Sequence, residues 1–327
     1  MTDFEQKIAY LKSQVSDYLR TIVAKEHPVS LYEPIKYTID GGGKRLRPIL
    51  LILAAEALGA SLQQSLPAAA AVELLHNFTL VHDDIMDQDD TRRGRPTVHS
   101  RWDTDVALLA GDGLVALAYQ SLLATPGDRI VQIAKIFTAG LIDLCEGQAL
   151  DREFETRNDV SLDDYLDMIS KKTASLLSMC ACIGGHIAGG DDSQIEALQV
   201  YGKSLGMAFQ IQDDLLDIVS DQKTLGKDFG SDVRQKKKTF LWVHARNHAE
   251  PSQVEALTHY FNLPHIETEH IYKVRDIFMK AGTLNRARDF VHRYIDSAEQ
   301  SLKPLEAGGV KTEDLKQLLH LIAKREA

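Results

Sequence analysis

Apolar residues recur at spacings of three and four along most of this chain, the period of a helix that buries one face. Twelve stretches show the pattern: 4–25, 48–58, 67–87, 103–124, 130–151, 161–185, 193–220, 233–247, 251–261, 265–281, 283–306 and 312–323. Turn-forming clusters separate several of them, at Pro126-Gly127-Asp128, Gly189-Gly190-Asp191-Asp192 and Gly308-Gly309. Ser161 with Asp164 three residues on has the form of an N-terminal helix cap. Alternation with a period of two is not sustained over any useful length. The pattern therefore predicts an all-α chain, read as a single domain over residues 1–327 with about a dozen helices and no linker.

Composition supports that reading. Nine prolines are few for 327 residues, and aromatics make up only 7% while Leu and Ala are abundant, which favours helix over sheet. The net charge of −10 argues against a nucleic-acid partner. It also argues against anionic substrates, unless metal ions and a local basic patch mediate. The three cysteines, Cys145, Cys180 and Cys182, are odd in number and include no CxxC pair. They suggest neither a disulfide framework nor a zinc site, and they fit a reduced, cytoplasmic setting. Residues 1–12 carry charges throughout and have no signal-peptide core. Apolar runs such as 48–55 are too short to cross a bilayer, so a membrane-spanning segment is not expected.

Two copies of one acidic pattern interrupt apolar helical stretches: Asp83-Asp84-Ile85-Met86-Asp87 and Asp213-Asp214-Leu215-Leu216-Asp217. At about 100° per residue, positions i, i+1 and i+4 share a helix sector, so each copy aims three carboxylates one way. Like charges gathered in a partly apolar setting repel unless a cation pairs with them. Mg²⁺ suits such a site, because it takes a few carboxylates and completes its shell with water and phosphate oxygens. Each motif is followed by a basic stretch, 89–99 with Arg92, Arg93 and Arg95, and 221–238 with Lys223, Lys227, Arg234 and Lys236 to Lys238. Acidic helix end followed by basic loop, twice over, points to a phosphate or diphosphate ligand.

A third constellation is Gly41-Gly42-Gly43-Lys44-Arg45-Leu46-Arg47-Pro48. Its glycines permit unusual backbone angles, and Lys44 and Arg47 can neutralise a phosphate without metal. It is not a Walker A loop, because Arg45 stands where Ser or Thr would hold Mg²⁺. His76 lies two helical turns before Asp83 on the same face.

In order along the chain, Gly42 to Pro48, Glu73 to His76, Leu80 to Asp87, Arg92-Arg93-Gly94, Gly111-Asp112, Gly147-Gln148, Lys172-Thr173, Phe209 to Asp217 and Gly226-Lys227 resemble the trans-isoprenyl diphosphate synthases. The resemblance covers nearly the whole chain. It implies a helical bundle around a deep central cavity, the isoprenoid synthase fold, and a homodimer. It implies that about three Mg²⁺ ions, with Mn²⁺ as a substitute, are held by the two motifs: Asp83, Asp84, Asp87, Asp213, Asp214 and Asp217, with Asp217 the least direct. Arg92, Lys172, Thr173, Gln210, Lys227 and Lys237 should meet the allylic diphosphate. The family often has Gly before the lysine matched by Lys237, and here Lys236 stands in that place. Lys44, Arg47, His76 and Arg93 should hold isopentenyl diphosphate without metal. The implied reaction is the head-to-tail condensation of isopentenyl diphosphate with an allylic diphosphate.

Product length should be set beneath the first motif, where Phe78 and Thr79 lie five and four residues before Asp83. In the family, an aromatic five positions upstream and a plain two-residue gap between the acids resemble enzymes making the C20 product, geranylgeranyl diphosphate. C15 and C25 products are the alternatives. Outside the class, a terpene cyclase-like lyase would not need the second, metal-free diphosphate site. A non-catalytic subunit of a heteromeric synthase could have shed its metal ligands, which are intact here.

Overall fold

The computed structural model describes residues 2–219 and 229–323. These form two compact units, each with its own core. The first comprises the residues up to Phe137, Cys180–Glu196 and Gly308–Leu315; the second comprises Thr138–Met179, Ala197–Ala307 and the residues from Lys316 onward.

The first unit begins with α1 (Asp3–Ile22), α2 (Val29–Asp40), α3 (Leu46–Ala57) and α4 (Leu62–Met86). Ser61 and Gln64 cap α4 reciprocally. A hairpin follows, β1 (Thr91–Arg92) paired antiparallel with β2 (Arg95–Pro96), and then α5 (Val98–Arg101), α6 (Thr104–Leu123) and the start of α7 (Ile130–Thr156). The core lies where α4 meets α6 and α3. Ala68 to Ala71 on α4 and Ala107, Ala110 and Ala118 on α6 are buried, and their small side chains let the helix backbones approach. Leu74, Leu75 and Leu114 fill the space around them, each contributing about 1.5–3 kcal/mol by burial. At Gly111 the approach is closest: a Cβ there would lie 2.1 Å from His82 Nε2.

By length and composition α6 is apolar enough to cross a bilayer, with a mean hydropathy of 1.6. No uninterrupted apolar run marks it in the sequence, because Asp105 and Asp112 interrupt it. The face carrying Ala107, Ala110, Leu114 and Ala118 is buried, with α4 packed against α6, while Leu108, Leu109 and Leu123 are exposed.

The second unit holds α7 from Thr138 on, α8 (Leu162–Ile169), a π-helical segment (Ser170–Ala174) and the beginning of α9 (Ser175–Ile187). It continues with α10 (Asp192–Val219) from Ala197, α11 (Ser231–Arg234), α12 (Phe240–His248), α13 (Pro251–Asn262), α14 (Thr268–Lys280), α15 (Thr283–Ala307) and most of α16 (Glu313–Ala323). Tyr165, Ile211, Leu215, Phe240, Val274, Phe278 and Ala287 are among the residues of its core.

The all-α expectation holds, with four local differences. Residues 29–40 form a helix that periodicity did not bring out, between Pro28 and with Pro34 inside it. The stretch 161–185 is broken by the π segment. The stretch 233–247 is divided between α11 and α12. The basic loop after the first motif contains the hairpin, whose turn residues Arg93 and Gly94 both have left-handed backbone (φ 55° and 72°).

Candidate active site

Asp83 and Asp84 lie in the last turn of α4, and Asp87 is its C-cap. Asp83 and Asp87 are half-buried and one turn apart; Asp84 is 4% exposed. Arg92 Nε donates to the Asp84 carboxylate, and the same guanidinium reaches Asp89 at 3.3 Å. Burial pushes the Asp84 carboxyl up to about 6, against the pull of Arg92. The hairpin therefore brings a cation back onto the acidic helix end. Asp84, Arg92 and Arg93 line an open pocket of about 400 Å³ together with Asn77 and Tyr37.

Arg93 takes a different partner. Its guanidinium donates to the Gly42 carbonyl and lies against Gly43, where a Cβ would come within 3.0 Å of it. The backbone angle of Gly43 (φ 142°) favours glycine there. Beside this turn, Arg47 Nη1 stands 3.3 Å from His76 Nε2. Burial drives the His76 imidazole well below its ordinary pKa, and Arg47, Arg93, Arg45 and Arg92 drive it further. The ring is therefore neutral; with Nε2 accepting from Arg47, Nδ1 carries the hydrogen. His76 Nδ1 and Arg47 Nε are both buried without a hydrogen-bond partner. Unsatisfied donors beside two arginines form a cradle for an anion. Lys44 is exposed on the same glycine turn, two residues after the Gly42 carbonyl that Arg93 meets.

The second motif is on α10 and its surroundings differ. Asp214, 4% exposed, accepts from Tyr165 Oη at 2.6 Å, Gln210 Nε2 at 3.0 Å and the Phe240 amide at 3.2 Å. Burial raises its carboxyl to about 8. Asp217 accepts from the amides of Ser231 and Asp232, both at 3.1 Å, and so anchors the first turn of α11. Asp213 is half-buried on the same helix.

Lys172 and Thr173 project from the π segment. Lys172 is paired with Asp151, and Thr173 Oγ1 donates to Gln210 Oε1 at 2.8 Å. Gln210 thus links Thr173 to Asp214. The wide turn of the π segment fits because Gly147 and Gly206 flank it. A Cβ at Gly147 would lie 2.3 Å from the Lys172 amide nitrogen, and one at Gly206 would lie 2.5 Å from Ala174 Cα. Lys172, Thr173, Gln210, Asp214 and Lys237 line one pocket of about 430 Å³. Arg92 of the expected allylic set lies in the first unit beside Asp84, and Lys227 lies outside the described residues. The substitution before Lys237 has a structural counterpart: Lys236 has φ 58°, the left-handed backbone that favours glycine.

Phe78 packs edge-on against His82 (4.7 Å between ring centroids), and Thr79 Oγ1 donates to the His76 carbonyl at 2.8 Å. The sequence reading assigned no role to Lys238, Asp151, Tyr165 or Asn77. Lys238 shares the second pocket and stands 4.3 Å over the Trp242 ring, and burial lowers its ammonium to about 8. Only for Lys238, within the basic run 236–238, was there a sequence signal.

The acidic side chains offer hard oxygen donors, the kind Mg²⁺ prefers. Among the described residues no three His, Cys, Asp or Glu side chains converge as a ready-made metal centre.

Comparison with known proteins places the chain. Residues 28–278 match the family model of polyprenyl synthetases. The geranylgeranyl diphosphate synthase of Sulfolobus acidocaldarius is 38% identical over 311 residues, 94% of each chain. The geranylfarnesyl diphosphate synthase of Natronomonas pharaonis is 42% identical over 261 residues, 74% of this chain and 76% of that one. A crystal structure of a geranylgeranyl pyrophosphate synthase superimposes with a TM-score of 0.90 at 36% identity, covering all of both chains. An all-α fold, paired acidic helix ends and two basic pockets are the marks of an isoprenoid synthase, and this chain belongs to the polyprenyl synthetase family. It is a prenyltransferase, of the family that condenses isopentenyl diphosphate with allylic diphosphates and uses a divalent metal.

Proposed function

We propose that this chain makes geranylgeranyl diphosphate by successive head-to-tail additions of isopentenyl diphosphate to an allylic primer. The observation that carries the reading is the pair of buried, unsatisfied donors at Arg47 and His76. They suit a diphosphate held without metal, which a condensing enzyme needs and a cyclase-like lyase does not. In this reading Lys44, Arg47, His76 and Arg93 hold isopentenyl diphosphate, and Lys172, Thr173, Gln210, Lys237, Arg92 and Lys227 receive the allylic diphosphate.

Asp83, Asp87 and Asp213 would chiefly hold Mg²⁺, about three ions, which would supply positive charge for the leaving diphosphate. Asp84 carries Arg92, while Asp214 and Asp217 shape the second pocket and anchor α11. Lys172 and Lys237 stabilise the charge that develops as the allylic C–O bond breaks. The basic cradle holds isopentenyl diphosphate, whose double bond attacks the allylic cation. The proton lost from the adduct goes to the released diphosphate, and no side chain is needed as base. The reading extends to a homodimer in the cytoplasm. Exposed Leu108, Leu109 and Leu123 on α6 support self-association, and an odd number of cysteines without a CxxC pair supports a reduced setting.

The names of relatives include geranylgeranyl, geranylfarnesyl and farnesyl diphosphate synthases, so length rests on Phe78. Incubation with labelled isopentenyl diphosphate and dimethylallyl, geranyl or farnesyl diphosphate, followed by chromatography, should give a C20 main product. Phe78→Ala should shift it to C25 or beyond. No incorporation of label would remove the transferase reading. An unchanged product in Phe78→Ala would remove Phe78 as the stop.

A further inference from the structure

Between the glycine turn and α4 lies an ion pair that the reaction as described leaves unused. Arg45 and Glu73 are 4% and 2% exposed. Arg45 Nη1 donates to Glu73 Oε1, and Nη2 donates to the Ile39 carbonyl at 2.9 Å. Asn77 Nδ2 holds the acid in turn, reaching Glu73 Oε1 at 3.2 Å and the Glu73 carbonyl at 2.7 Å. One buried guanidinium thus ties the end of α2, the start of α3 and the middle of α4.

The backbone gives this tie a purpose. Arg45 is the N-cap of α3 and has left-handed backbone (φ 55°), yet its side chain makes no capping bond. A residue other than glycine in that region is disfavoured and persists only where its surroundings hold it. Here the hold is the bond to Glu73 and Ile39. Arg45 is flanked by Lys44, the exposed cation of the turn, and by Arg47 in the first turn of α3. Burial disfavours the charged forms of Arg47 and Arg93, and Glu73 is among the groups that offset it at both. Buried ion pairs are often replaceable by apolar residues with no loss of stability, so stability alone does not account for this one.

We propose that Arg45 and Glu73 are positioning residues for the metal-free diphosphate site: their buried pair sets the left-handed turn that aims Lys44 and Arg47, without touching substrate. The inference rests on the reading of that cradle as the isopentenyl diphosphate site.

The test is equilibrium binding of radiolabelled isopentenyl diphosphate in the absence of metal and allylic primer, alongside thermal unfolding. The double variant Arg45→Met/Glu73→Leu replaces the pair by apolar residues. It is expected to unfold near the wild-type temperature and to bind isopentenyl diphosphate at least about tenfold more weakly. KM for the allylic primer should not move. Wild-type affinity in this variant overturns the proposal. If the double variant does not fold, Arg45→Lys decides, since it keeps the charge opposite Glu73 and loses the forked reach to Ile39. Weakened binding supports the proposal and unchanged binding overturns it. Lys44→Ala separates the two readings. If it also leaves metal-free binding unchanged, the cradle itself is misassigned. If it weakens binding while the pair variants do not, only the positioning role fails.

Discussion

Asp84 and Asp214 hold the same place in two copies of one motif and keep different company. Asp84 faces a guanidinium, whereas Asp214 faces a phenol, an amide side chain and a backbone N–H. The repeated spelling in the sequence therefore conceals two environments, because the partners come from elements that the motif does not encode. Asp83 has the simplest prediction. Its carboxylate sits at the C-terminal end of α4, where the helix dipole and its acidic neighbours both disfavour negative charge. Asp83→Ala should lower kcat by about 10²–10³ while leaving the unfolding temperature unchanged or slightly raised. Steady-state kinetics at saturating Mg²⁺ together with calorimetry would check both halves, and near-wild-type turnover would remove Asp83 from the metal set. Lys236 carries a related lesson. Its departure from the family's glycine was visible in sequence, but only the backbone angle shows that the position keeps glycine's conformation.

At the scale of elements, the helical period brought out most of the helices and missed those whose form depends on neighbours. Residues 29–40 were obscured by Pro28 and Pro34, which read as breaks although a helix runs through the second. The hairpin at 91–96 has two-residue strands, too short for alternation to register. The π segment is the clearest case. Nothing in Ser170 to Ala174 departs from an ordinary helix pattern; the extra width is accommodated by Gly147 on α7 and Gly206 on α10. Gly147→Ala should press a methyl group into the Lys172 backbone and destabilise the fold by about 1–3 kcal/mol. By displacing Lys172 and Thr173 it should also raise KM for the allylic primer about tenfold or more, with KM for isopentenyl diphosphate unchanged. Equal effects on both substrates would argue against a specific role for the π segment.

For the molecule as a whole, the second unit carries a pH dependence of its own. His244 is buried on α12, bonded through Nδ1 to Thr283 Oγ1 at 3.0 Å and stacked on His248 at 4.1 Å. Burial, with His248 and Arg286, lowers its pKa to about 4 from an ordinary 6.5. Between those values the unfolded chain takes up a proton that the folded chain refuses, so stability present above pH 6.5 is lost progressively as pH falls towards 4. Urea unfolding at pH 7.5 and pH 5 should show this loss in the wild type and a smaller one in His244→Gln. An equal loss in both would place the acid sensitivity elsewhere.

Residue types and their spacing were enough to establish an all-α chain, two copies of one acidic motif with basic stretches behind them, and a glycine turn bearing cations. Those features are local: a helix repeats every 3.6 residues, so a face can be read from a dozen neighbours. The tertiary structure decided which acids are already engaged, which backbone angles are held and which donors are left wanting a partner. Arg45 meets Glu73 across 28 residues of chain and Tyr165 meets Asp214 across 49. Pairings at that range leave no periodic trace. They exist only once the helices have packed, when burial makes an unmatched charge or hydrogen-bond donor costly enough to matter.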